Sequence, residues 1–321
     1  MVLSTRSNWR IMSGVAVLFP GQGSQEVGMG ADLFERHEGI LGTESDTILG
    51  WSLREVCLDG PLERLTRTEH AQPALFALAY ARWLDVVDVL EGRVQAAAGH
   101  SLGEYTALAA SGMVDFQAAL SVVAERGAAM AEAADAEPSG MAALIGASPD
   151  LAEQIATRRR SEGGRLSVAN INAPGQVVVA GGAEDLDWLE GNARDLGVRR
   201  AIRLNVAGAF HSPFMEPATP RLRDALAGLT VGEGRFDVWS NVTAAPVAAA
   251  DVVELLGRQV VSPVLFQQTL ENMAATGIET FIHIGPGDVT AGMAKRSVDN
   301  PTVVVVNDAA GVEQLPSLLA E

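Results

Sequence analysis

Cysteine occurs once in the 321 residues, at position 57. One thiol excludes a disulfide within the chain and a cysteine metal cluster, and leaves Cys57 the part of a small buried hydrophobe. Long apolar runs are missing too, and none approaches the ~18 residues that a membrane span requires. Met1 to Gly14 is polar, carries Arg6 and Arg10, and lacks the apolar stretch of a secretory signal. It reads as a flexible leader over 1–13, with Met12 a second candidate start, and a cytoplasmic location is the expectation. Basic residues are in deficit, 23 Lys and Arg against 40 Asp and Glu, for a net charge of −17. Nucleic acid and anionic membrane surfaces would be repelled as general partners, although a local basic patch stays open. There is no internal repeat and no low-complexity linker. At 48% hydrophobic and 20% charged, the composition is that of a folded globular chain with room for one large domain or two smaller ones.

Ala96-Ala97-Ala98-Gly99-His100-Ser101-Leu102-Gly103-Glu104-Tyr105 organises what is present. An apolar run ends at a glycine, a serine follows at the turn, and an alanine-rich helical stretch begins. Gly99-His100-Ser101-Leu102-Gly103 fits the G-x-S-x-G elbow, a tight strand-to-helix turn that presents a serine hydroxyl. Side chains at the flanking glycines would collide with the crowded turn. The adjoining helix N-terminus offers free N–H groups to developing negative charge. The same five letters also occur in plain loops, so the remaining chain has to decide.

Val15 to Phe19, closed by Pro20-Gly21, suits a buried strand of a parallel sheet. The loop Gln22-Gly23-Ser24-Gln25 lacks both the Rossmann spacing and the Walker lysine, which leaves a plain turn or a loop whose N–H groups face a site. Short helical pieces over 31–70 precede a long helix from Pro73 to Leu90. Asp115 can cap a helix from Phe116 to about Ala134 that contains Arg126. Past Glu137-Pro138-Ser139-Gly140 the pattern becomes strand 141–145, helix 149–161, strand 166–170, strand 176–180, helix 183–196 and strand 199–204. That β-α-β-β-α-β order is the split arrangement of a ferredoxin-like unit. Further strands near 237–240, 280–284 and 302–306 make it an insertion over 137–205 in a larger α/β unit of 14–136 and 206–321.

A serine nucleophile needs a base, and the histidines are His37, His70, His100, His211 and His283. His100 adjoins Ser101, but neighbours on an elbow point apart, which suits a structural role. His37 and His70 read as surface or capping groups. His211, in Gly208-Ala209-Phe210-His211-Ser212-Pro213, falls where the inserted unit closes. His283, at a strand end before Gly285-Pro286-Gly287, is its rival.

Six segments then occur in order: Phe19 to Gln25, Gln72-Pro73-Ala74-Leu75, Gly99 to Tyr105, Asn172-Ala173-Pro174-Gly175-Gln176, Gly208 to Ser212, and Gly285-Pro286-Gly287. Together they resemble malonyl-CoA:acyl-carrier-protein transacylases and the acyltransferase domains of polyketide synthases. The likeness spans nearly the whole chain from about residue 14. It implies an α/β-hydrolase-like large subdomain with an inserted ferredoxin-like small one. It implies Ser101 as the acyl-accepting nucleophile, His211 as its base, the Gln22 and Leu102 N–H groups as the oxyanion hole, and the Gln259 carbonyl as the group that orients His211. In Glu125-Arg126-Gly127, Arg126 resembles the arginine that takes the malonyl carboxylate. Phe210 resembles the malonyl-type residue, where a smaller one accompanies methylmalonyl units. The implied partners are a coenzyme A thioester and an acyl carrier protein, in fatty acid synthesis or for a polyketide synthase served in trans, with no metal or tightly held cofactor. Arg199-Arg200 and Lys295-Arg296 are the candidate docking pairs for a carrier. The rival activities are transfer of another acyl unit, such as methylmalonyl, and hydrolysis by a serine thioesterase.

Overall fold

The computed structural model describes residues 14–319, and the leader read over 1–13 lies outside them. Its strands are β1 (Gly14–Phe19), β2 (Val94–Gly99), β3 (Ser139–Ile145), β4 (Leu166–Ala173), β5 (Gln176–Gly182), β6 (Arg200–Arg203), β7 (Asp237–Trp239), β8 (Ile278–Ile284) and β9 (Thr302–Val306). Five form a parallel sheet in the order β7-β2-β1-β8-β9. The central β1 is buried throughout because both of its faces are covered: Val15, Val17 and Phe19 enter one apolar cluster, Ala16 and Leu18 another. A run without polar alternation is what such a position requires.

The other four strands form a separate antiparallel sheet in the order β4-β5-β3-β6. The expected β-α-β-β-α-β succession is present, with helices Pro149–Ser161 and Ala183–Asn192 between the strands. Side-chain alternation divides this sheet into two faces. Ala142, Leu144, Val177 and Val179 pack with Ile155 and Leu186 of the two helices. Met141, Ala143, Val178 and Ala180 point the other way and join the large core. A main-chain bridge between Asn170 and Val264, made by the Ile171 N–H donating to Val264 and the Val264 N–H donating to Ala169, ties β4 to the larger unit.

Several boundaries move. The long helix starts at Thr68, with Pro73 inside it, so Gln72 is helical. Pro73 is the sixth helical residue, past the N–H groups a helix start leaves unpaired, so the hydrogen bond that an N–H there would make to the Glu69 carbonyl is missing. Asn172 and Ala173 still belong to β4, which leaves Pro174-Gly175 as the turn. The helix expected to reach 196 ends at Asn192. Asp115 does cap Phe116–Ala136, accepting from the Gln117 and Ala118 amides. Cys57 is fully buried, and burial pushes its thiol up to about 12. Among the described residues no helix is long and apolar enough to cross a membrane.

Candidate active site

β2 ends at Gly99, and the next helix, Gly103–Ser111, starts four residues later. Two backbones therefore cross at contact distance. A methyl group at Gly99 would overlap the Gly103 carbonyl and the Glu104 nitrogen, and one at Gly103 would meet the Phe19 and Pro20 carbonyls. Ser101, at the apex, is forced to φ 52°. A non-glycine residue there holds strain that the surroundings must offset. Asn241 supplies part of that offset: its Oδ1 accepts from the Ser101 amide at 2.6 Å and its Nδ2 donates to the Gly99 carbonyl at 2.7 Å. Gly99→Ala should therefore cost at least about 3 kcal/mol in urea unfolding, the upper end for overpacking. Gly39→Ala, where nothing stands within 4 Å of an added methyl, should change stability little.

His211 lies within reach of the apex, with its own φ at 57°. Its Nε2 is 2.7 Å from Ser101 Oγ and its Nδ1 2.9 Å from the Gln259 carbonyl. A carbonyl only accepts, so the ring proton sits on Nδ1 and Nε2 presents a lone pair. Arg126 Nη2 donates to the same Ser101 Oγ at 3.0 Å. A guanidinium cannot accept, so the serine hydrogen is directed to His211. The geometry thus fixes a donor, an oxygen and a base in one line of hydrogen bonds. Burial and the Arg126 charge push His211 down to about 3, which keeps the ring neutral.

Arg126 is fully buried, midway along Phe116–Ala136 rather than exposed at a helix end. Gly127 beside it lets that helix press on the Thr68 carbonyl, which an added methyl would approach to 2.9 Å. The close approach brings Arg126 Nη1 within 2.6 Å of Gln72 Oε1. Arg126 Nη2 also reaches Gln259 Oε1 at 2.8 Å, and the guanidinium carbon lies 5.4 Å from the centroid of the Tyr105 ring. Every one of these hydrogen-bond acceptors is neutral. No carboxylate touches the guanidinium, although the charge of the buried Glu104 favours its protonated form, so it can accept an anion from outside.

Glu104 holds the arrangement from beneath. Its Oε2 accepts from Gln259 Nε2 at 2.6 Å and from the Asn241 amide at 3.1 Å. Burial raises its carboxyl to about 7, against the lowering effect of those hydrogen bonds and of Arg126. Sequence reasoning assigned nothing to Glu104, Asn241 or Gln72. Glu104 and Gln72 stood inside quoted segments, and a polar residue in an apolar helical run was the available signal. Asn241, 140 residues from Ser101, left none.

A cleft of about 640 Å³ opens over Ser101, lined by Gln22, His100, Leu102, Arg126, Phe210 and His211 among others. Neither the Gln22 nor the Leu102 N–H has an acceptor among the described residues. Phe210 is buried against the cleft. His100 faces the cleft as well and hydrogen-bonds Asn172 at 2.8 Å, joining the two units. His283 is a core residue bonded to Thr290. His37 pairs with Asp85 at 2.8 Å, and His70 stacks edge-on against Trp51. Of the five histidines, His211 alone touches Ser101.

His70, His100, His211 and His283 all have folded values below the 6.5 of an unfolded histidine. The unfolded chain then binds more protons as pH falls, so their contribution is intact above 6.5 and is lost on acidification, through about 4 for His283 and about 3 for His211. Glu104 acts in the opposite sense between 4.5 and about 7. With four groups against one, thermal melts should show Tm falling as pH drops below 6.5, and His283→Gln should flatten part of that fall.

Residues 17–318 match the acyl transferase domain family. The malonyl CoA-acyl carrier protein transacylase of Bacillus subtilis is 37% identical over 97% of this chain and 98% of its own length. The crystal structure of an acyl carrier protein S-malonyltransferase from Vibrio cholerae has a TM-score of 0.87 at 36% identity, covering 94% of this chain and all of that one. A malonyl-transacylase solved in complex with its type II PKS acyl-carrier protein has a TM-score of 0.89 at 34% identity, over 95% and 99% of the two chains. A match that runs through both sheets and across the cleft between them leaves one conclusion: the chain belongs to the acyl transferase domain family.

Proposed function

We propose that this chain transfers a malonyl group from malonyl-CoA to the phosphopantetheine thiol of an acyl carrier protein. The observation that carries this reading is Ser101 Oγ set between the His211 lone pair at 2.7 Å and the Arg126 guanidinium at 3.0 Å. A hydrolase needs the first contact. The second suits an acyl group that ends in a carboxylate, which the guanidinium can take in bidentate fashion.

The reaction follows in two displacements. His211 Nε2 takes the Ser101 proton while Oγ attacks the malonyl thioester carbon. The oxyanion faces the Gln22 and Leu102 N–H groups, each worth about 2–4 kcal/mol by the measure of other oxyanion holes. Collapse breaks the carbon–sulfur bond, and the departing coenzyme A sulfur recovers the proton from His211. In the second half the carrier thiol gives its proton to His211 and attacks the ester carbon, and Ser101 leaves with that proton. The Gln259 carbonyl orients the imidazole where other serine enzymes use a carboxylate. Phe210 narrows the cleft, favouring malonyl over branched units.

The large unit, 14–136 with 206–321, is read as α/β-hydrolase-like, which its parallel sheet and serine elbow support. The unit at 137–205 is read as ferredoxin-like, supported by its β4-β5-β3-β6 order. A cytoplasmic location, and service either to fatty acid synthesis or to a polyketide synthase in trans, complete the reading. The test is intact mass after exposure to mixed acyl-CoAs and then to holo carrier protein. A malonyl adduct that moves to the carrier is expected, and an adduct of another mass, or none, overturns the assignment.

A further inference from the structure

Histidines aside, four charged side chains are buried among the described residues: Arg82, Glu104, Arg126 and Asp185. Two sit in direct ion pairs, Arg82 with Asp32 and Asp85, and Asp185 with Arg159. Glu104 and Arg126 do not, although one chain of hydrogen bonds joins them. Gln259 Nε2 donates to Glu104 Oε2 at 2.6 Å, and Gln259 Oε1 accepts from Arg126 Nη2 at 2.8 Å. The amide can stand only one way round. Turned over, it would set its NH2 group against the guanidinium and its oxygen against the carboxylate. Gln259 Nε2 also donates to the Ser101 carbonyl at 3.0 Å, and the Asn241 amide donates to Glu104 Oε2 at 3.1 Å. Amide and carboxylate are thus each held in place, and the two charges stay one amide apart.

A carboxylate in contact with Arg126 would occupy N–H groups that an anionic substrate needs. A site with no carboxylate at all would leave an uncompensated cation in the interior, which is costly. Glu104 meets both demands. Its charge favours the protonated guanidinium, as that of Arg126 favours the ionised carboxyl, and the amide between them leaves the pair open. A second carboxylate arriving at Arg126 is attracted by the guanidinium and repelled by Glu104. That repulsion vanishes when Glu104 takes up a proton, and burial holds its carboxyl at about 7. The groups around it keep their charge in this range. His100 and His211 are pushed below 6.5, and Tyr105 is pushed up to about 12. β1 and β2 carry no titratable side chain, and Asp237 of β7 is exposed. The segment after β7 and the helix Val252–Gln259 present Ser240, Asn241 and Gln259 to the carboxyl. On the two long helices packed beside it, Glu69 pairs with Arg67, Arg82 with Asp85 and Glu125 with Arg221.

We propose that Glu104 is a positioning residue that acts through the Gln259 amide as the counter-charge of Arg126, and sets how firmly the guanidinium holds the malonyl carboxylate. This rests on the malonyl transfer proposed above, and acetyl-CoA separates the two. Dissociation constants of malonyl-CoA and acetyl-CoA are measured at pH 6, 7 and 8 for S101A, which has no hydroxyl to acylate, and for S101A/E104Q. A glutamine can keep an oxygen where Oε2 stands, so E104Q removes the charge and leaves both hydrogen bonds. The ratio of the two constants cancels what coenzyme A itself contributes. With a coupling of about tenfold between the two carboxylates, the preference of S101A for malonyl should weaken about fivefold from pH 6 to pH 8, as Glu104 ionises. S101A/E104Q should keep the pH 6 preference throughout, and so bind malonyl-CoA about fivefold more tightly than S101A at pH 8. Acetyl-CoA, which brings no carboxylate, should bind the two proteins within about twofold of each other. A preference that stays flat in S101A overturns the counter-charge, and this series stands even if E104Q does not fold. A preference that still falls with pH in S101A/E104Q overturns it too. So does an equal loss of both thioesters in S101A/E104Q, which would make Glu104 a packing residue only. If S101A prefers malonyl-CoA at no pH, the malonyl reading itself fails, and the counter-charge with it.

Discussion

A Ser101→Ala protein mixed with malonyl-CoA should gain no mass and should transfer malonyl at least about 10⁴-fold more slowly than wild type, the scale seen when a serine enzyme loses its nucleophile. The size of the effect follows from how much of the chain serves this one oxygen. Gly99 and Gly103 let two backbones touch, Asn241 holds the resulting turn from both sides, and Ser101 remains at φ 52°. The hydroxyl then has one acceptor, His211 Nε2, and one cationic donor, Arg126. His211→Ala should cost nearly as much, and the double variant little more than either single one, because the two act as a unit. The measurement is intact mass over a time course together with steady-state transfer. An acyl adduct on the alanine variant would place the nucleophile elsewhere.

Arg126→Ala should lower kcat/KM for malonyl-CoA by about a hundredfold to a thousandfold, in line with the loss of one partner of a buried charge pair. For acetyl-CoA the same change should leave the rate level or raise it. Arg126 does two things at once. In the proposed transfer its guanidinium meets the malonyl carboxylate, while its charge depresses His211 in the empty site. A malonyl carboxylate cancels that charge and returns basicity to His211 as the substrate arrives. An acetyl group brings no carboxylate and meets a weaker base. Removing the charge therefore raises the His211 value and moves the acid limb of acylation to higher pH. Rates for both thioesters across pH test the two effects together. Equal malonyl and acetyl losses with an unmoved acid limb would reduce Arg126 to a packing residue.

The parts of this site that sit on local pattern were legible in the sequence. The elbow is contiguous, its glycines are demanded by contacts within a few residues, and the Asp115 cap and the β-α-β-β-α-β run are short-range patterns. What held the site together was not legible, because it is long-range. Asn241 lies outside any regular element and reaches Ser101 from beyond the inserted unit. Glu104 looks like one more residue of an alanine-rich helix until Gln259 and Asn241 converge on it. Gln72 was hidden by Pro73, which reads as a helix start but lies in the second turn of a helix begun at Thr68. The two basic pairs were visible, while the pairing of Arg200 opposite Ile145 depends on strand register, which composition does not carry.

The central claim is that Ser101 is a loading point between two thiols from which water is kept out. Isolated malonyl-enzyme, divided between plain buffer and buffer with holo carrier protein, tests it most directly. The adduct should persist in buffer and be discharged by the carrier at least about a hundredfold faster, with all of the label recovered as malonyl-carrier, a ratio of some 2.7 kcal/mol in favour of the thiol. Free malonate appearing at the same rate in both samples would contradict it and make the protein a hydrolase.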